Sequence, residues 1–190
     1  MKRPFMRALA GLVSAIAVGV VGAAILHIVI VLSIPDYSTH DAWTKVVSLG
    51  APNEFHLLEG APKENVVYDA DPFLRTAICV FHDTAGPIHI TAGPPLPFWS
   101  LAVFDPQSNE IYSMTDRSAI ERRVDVTLAT QLQMIALRRA KPDALDKSIL
   151  IELPGPEGYV VLRTVAEDKT WEPLARRFLQ GADCAPVAGS

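Results

Sequence analysis

The chain has 190 residues, with 17 Lys and Arg against 21 Asp and Glu and a formal charge of −4, which allows one domain of ordinary size plus an appendage. Lys2, Arg3 and Arg7 are the only charged side chains before Asp36, so 14 bases face 21 acids, or −7, in the remainder. Such a surface repels polyanions and argues against nucleic-acid binding, which displaces counterions with clustered Lys and Arg.

The appendage comes first. After its three bases the chain is apolar from Ala8 to Ile34, and His27 is the only ionisable side chain in that run. About 20 apolar residues cross a bilayer, and a single segment can do so only as a helix, because lipid leaves no other partner for backbone N–H and C=O groups. The basic flank keeps the N-terminus in the cytoplasm, so residues from about Pro35 face the other side of a plasma (inner) membrane. Val21-Gly22-Ala23 offers a rival signal-peptidase site, but the apolar run continues well past it, and a signal core spans only about 7 to 15 residues. Gly11, Ala15, Gly19, Ala23 and His27 follow at four-residue steps, a small-residue stripe that suits helix–helix contact in lipid.

Residues 35–70 read as a membrane-proximal stalk and irregular segment, with a short helix over His40–Leu49 and punctuation at Gly50, Pro52, Gly60 and Pro62. From 71 to 190 the pattern is that of a periplasmic β-rich domain. Arg75–Phe81 with Pro87–Thr91, Phe98–Phe104 with Glu110–Met114, and Ser148–Leu153 with Gly158–Val165 are expected as three hairpins around Gly, Pro and Asn turns. Leu128, Leu132 and Ile135 recur at helical spacing over Thr127–Ala140, whose end, Arg138-Arg139-Lys141, reads as a cationic last turn. A final helix is expected over Thr170–Gln180, capped by Thr170 and stopped at Gly181. The fold class is therefore α+β: an N-terminal transmembrane helix over 1–34, then an antiparallel, sandwich-like sheet domain with two helices. No GxGxxG or P-loop run occurs, and no cofactor is expected.

The two cysteines, Cys79 and Cys184, lie on the exported side, where disulfides persist. A bridge between them closes a loop of about 100 residues, worth roughly 4 to 5 kcal/mol in the chain-entropy description. Two buried thiols, or a bond to another protein, are the alternatives.

The run Pro97-Phe98-Trp99-Ser100-Leu101-Ala102-Val103-Phe104 places Phe98, Ser100, Ala102 and Phe104 on one face and Trp99, Leu101 and Val103 on the other. Both faces are apolar, as in a central strand. Ser100 lacks the glycines of a nucleophile elbow and reads as a buried hydroxyl with a backbone partner. This run, with Glu110–Arg117, Asp71-Pro72-Phe73, Gly158–Arg163, Thr170–Pro173, the Tyr37–Trp43 stretch and both cysteines, resembles the short membrane-anchored members of the domain of unknown function twelve-fifty-four family. The resemblance covers nearly the whole chain. It implies a β-rich fold and no settled activity. Longer relatives carry a second domain on the same chain, so a short member is expected to act with a separate, similarly anchored protein of the companion family.

Other candidate chemistry is sparse. His82 and His89 near Asp83 hold two imidazoles and a carboxylate, a set too unspecific for a zinc site, and no metal is expected. Arg163 in an apolar strand calls for a partner, with Asp105, Asp116 or Glu152 as candidates for a structural salt bridge. The expected function is a non-enzymatic binding module in contact with the lipid bilayer, acting with a second anchored protein or self-associating through its anchor. The alternative is a periplasmic hydrolase or small-ligand-binding domain with a polar pocket near Ser100, Asp116, Arg117 and Arg163.

Overall fold

The computed structural model describes residues 2–58, 67, 71–83, 86–140, 145 and 147–187, with backbone alone for 2–10 and 35–41. The chain divides into two compact units, Met1–Asp41 and Ala42–Ser190.

The first unit holds most of the N-terminal helix. Helix α1 (Lys2–Val47) continues past Pro35, so the separate helix expected over His40–Leu49 is instead the end of α1. Within α1, Gly11–Ile34 is a stretch of 24 residues with mean hydropathy 2.8. At 1.5 Å per residue it extends about 36 Å, more than the roughly 30 Å of a hydrocarbon core. The unit buries almost none of this apolar surface, and the segment is long and apolar enough to span a membrane.

The second unit is a two-sheet sandwich with helices, and the fold is α+β. Sheet A has the order β1 (Phe55–Leu57), β2 (Leu74–His82), β8 (Glu157–Val165), β4 (Trp99–Phe104), β5 (Glu110–Thr115). Sheet B has the order β7 (Ile149–Leu153), β6 (Asp125–Thr130), β3 (Ile88–Thr91), β9 (Asp183–Pro186). The core between them takes alternate residues of each: Cys79 and Phe81, Leu101 and Val103, Val160 and Leu162 from sheet A, and Ile88, Ile90, Val126 and Leu128 from sheet B. Trp99 is stacked on Phe178 of α3 (Glu172–Gln180), with ring centroids 6.4 Å apart, and donates its indole N–H to the Arg122 carbonyl. The Cys79–Cys184 disulfide joins β2 to β9, and so the two sheets.

Several sequence expectations change. The β4–β5 hairpin forms as expected. The other two do not: β2 and β3 lie in different sheets, as do β7 and β8. Period-two alternation marks a strand but not its partner, and a short Gly/Pro connection serves a step between layers as well as a tight turn; Thr84 and Ala85 of the first connection lie outside the described residues. Helix α2 is Gln131–Ala140, not Thr127–Ala140. The preceding residues form β6, whose Leu128 and Ala129 continue the apolar spacing of α2, so that spacing does not separate strand from helix there. Because β6 and β7 are joined through α2 they pair in parallel, as such crossovers do, while every other pairing among the described residues is antiparallel. Thr170 does not cap α3; Trp171 holds the cap position, and Thr170 donates its N–H to the Asp168 carboxylate at 2.7 Å. Within the segment expected to be irregular, β1 forms an edge strand paired to β2; Gly60 and Pro62, and Lys141 of the basic cluster, lie outside the described residues.

Candidate binding face

The outer face of sheet A divides into an apolar half and a polar half. Alternation sends Ile78, Val80, Tyr159 and Val161 outward at one end, where Trp43, Val46 and Leu49 cover them. Trp43 lies 6.2 Å from Tyr159 between ring centroids, and Phe104 stacks on Tyr159 at 5.0 Å. Two residues further along each strand the same face becomes polar: Thr76 stands opposite Arg163, Arg163 opposite Ser100, and Ser100 opposite Thr115.

Three of the four residues named as a polar pocket therefore gather at this end. Ser100 and Arg163 are cross-strand neighbours, and Asp116 follows Thr115 with its backbone N–H donated to the Trp99 carbonyl at 3.1 Å. Arg117 comes next and is exposed. Neither groove described below is lined by these four residues. Ser100 is half-buried and makes no side-chain hydrogen bond with a described residue, so the backbone partner expected for it is not formed there.

Arg163 is exposed, and among the described residues it has no ion pair; the structural salt bridge expected for it does not form. Each candidate partner is placed elsewhere. Asp105 accepts hydrogen bonds from the backbone and side-chain N–H groups of Asn109 at 2.8 and 2.9 Å. Glu152 lies on β7 of the other sheet, and Asp116 is buried.

The histidine pair is separated by the sheets that carry it. His82 Nδ1 lies 3.3 Å from Glu157, while His89 Nε2 lies 2.9 Å from Asp125. Asp83 is buried, its pKa pushed up by desolvation against hydrogen bonds from Gln133 and Thr130, and its Oδ2 has no described partner. Among the described residues no three metal-ligating side chains converge.

An ion pair missed by sequence reasoning lines a groove of about 400 Å³ between Phe73, Arg75, Lys169 and Glu172. Arg75 donates from Nε to both Glu172 oxygens at 3.1 and 2.9 Å and from Nη1 to the carbonyls of Pro72 and Leu74, and Arg176 adds a bond to Glu172 at 3.0 Å. The hydrogen bond from Arg75 is the main reason that the Glu172 carboxyl is held below its ordinary range; burial opposes it and Arg176 assists. The only sequence signal was Glu172 itself, expected in the first turn of a helix. A second groove, about 260 Å³, runs between Asp105–Gln107 and Pro154–Glu157.

On α1, Gly11, Ala15, Gly19, Ala23 and His27 are all exposed, and a Cβ built on Gly11 or Gly19 meets no atom within 4 Å.

The chain matches no protein-family profile and no curated protein. Its fold is similar to that of the VPA0106 protein from Vibrio parahaemolyticus, at TM-score 0.54 and 12% identity over 78% of this chain and 37% of that one. An uncharacterised protein from Burkholderia cenocepacia overlaps at TM-score 0.39 and 10% identity, over 70% of this chain and 36% of that one. This chain thus spans little more than a third of the Vibrio protein whose fold it shares.

Proposed function

We propose that this chain is a single-pass inner-membrane protein, N-terminus in the cytoplasm and sandwich in the periplasm, whose domain is a non-enzymatic binding module for a separate anchored protein. On this reading it is a short, membrane-anchored member of the domain of unknown function twelve-fifty-four family. The observation that supports the partner reading is the match to a longer chain: this fold accounts for 37% of the Vibrio protein, where further chain adjoins it. The small-residue stripe from Gly11 to His27 supports contact between helices, with the partner's anchor or a second copy, because small side chains let backbones approach closely in lipid.

Cross-linking in intact cells, followed by gentle detergent extraction, tests this. The expected result is a stoichiometric complex with another membrane-anchored protein, weakened by Gly19→Leu; a chain that cross-links only to itself, or to nothing, overturns the hetero-partner reading.

Arg163, exposed and without an ion pair among the described residues, favours a second reading: a small anionic ligand held by Arg163 and Ser100, with Arg117 close by in the sequence after β5. Arg163→Gln removes such binding in a ligand-shift melt if this reading holds.

A further inference from the structure

We infer that the loop Arg117–Arg123, together with Phe98, is an insertion point that touches the anionic surface of the bilayer in which the chain is anchored. The inference rests on the proposed anchoring and adds to it the part of the domain that meets lipid.

The loop is built to hold an apolar tip outward. Ser118 accepts the Thr115 N–H at 3.0 Å and donates back to the Thr115 carbonyl, which closes the turn after β5. Ala119 packs on the core and Val124 is buried in it, while the Trp99 indole N–H holds the Arg122 carbonyl at 3.2 Å. Between those fixed points Ile120 is left 52% exposed. Phe98, one residue before the Trp99 that holds this loop, is 51% exposed.

Charge favours lipid as the occupant. The part of the chain after the first seven residues carries −7, yet Arg117, Arg122 and Arg123 are all exposed on this loop. Its one acid, Glu121, is engaged by Lys147 at 2.7 Å, so the patch is strongly cationic on an acidic body. Apolar tips ringed by Arg are what an interface with anionic lipid selects: the side chain enters the acyl boundary and the guanidinium groups stay among the phosphates. Backbone strain agrees: Phe98, Glu121 and Arg122 are three of the five non-glycine residues with positive φ among the described residues, and strain of this kind persists where it serves a site.

The full chain in lipid nanodiscs provides the test. Its two cysteines are joined to each other, so Ile120→Cys gives a single site for a nitroxide probe, and Leu132→Cys, 80% exposed on α2, is the control. In discs containing phosphatidylglycerol the probe at 120 is expected to be oxygen-accessible and shielded from an aqueous nickel chelate, with the control aqueous. Each Arg→Gln change at 117, 122 or 123 lowers the shielded-to-aqueous ratio about fivefold, as does high salt for all three together. A probe at 120 as aqueous as the control, in chains that resist alkaline carbonate, overturns the proposal while leaving the anchor intact. Shielding that ignores lipid charge and all three arginines, or that arises only when an acidic protein is added, also overturns it. Chains stripped from the discs by carbonate overturn the anchor reading, and the loop proposal with it.

Discussion

Gly158 and Phe98 show how much a single position can decide. A Cβ on Gly158 would run into the Phe104 carbonyl and the Phe81 ring, both on neighbouring strands, so Gly158→Ala is expected to lose about 1 to 3 kcal/mol as overpacking does. Urea unfolding measures this, and an unchanged midpoint would contradict the packing. At Phe98, φ is +61°, a region Asn tolerates and a bulky residue does not. Phe98→Asn is therefore expected to leave stability unchanged or to raise it by about 1 kcal/mol; a clear loss would mean that the exposed ring stabilises the fold rather than serving contact. Glu172 carries a pH prediction. Because Arg75 lowers its pKa in the folded state, its contribution is present above the ordinary carboxylate pKa and disappears as pH falls through the lowered folded value. Glu172→Gln should lower the melting temperature near neutrality and flatten the acid limb of its pH profile. A variant whose profile runs parallel to the parent's would remove the pair as the cause.

Elements were legible in the sequence where local pattern decides and illegible where partnership does. Alternation at Trp99–Phe104 identified both faces of β4 and its central place, and the β4–β5 hairpin followed from its Pro and Asn turn. The partners of β2 and β7 were not readable, because alternate residues that fill a sandwich core look the same whichever sheet they join. The polar cluster was only partly legible: Ser100 and Arg163 meet because β4 and β8, far apart in sequence, run side by side, and no local signal gives that register. Cys79 and Cys184 were readable as a pair because only two cysteines exist. Their bridge ties edge strand β9 to β2, an inner strand of sheet A, across a sequence separation of 105, and Cys184→Ala is expected to cost about 2 to 5 kcal/mol. Amide exchange should quicken first in β9; uniform protection across both sheets would contradict that placement.

At the scale of the molecule, an apolar helix and a disulfide-joined sandwich make one physical argument. The helix leaves its apolar surface without a protein partner among the described residues, and the bridge needs an oxidising compartment to persist. Together they support an exported domain that stays tethered. The most direct test isolates the carbonate-resistant membrane fraction, alkylates it without reductant, and maps the peptides of this chain. The expected result is a chain that retains residues 1–34, with Cys79 and Cys184 linked and free of label. A chain that has lost the apolar segment, or one whose two cysteines both carry the alkyl group, would contradict a tethered domain on the oxidising side.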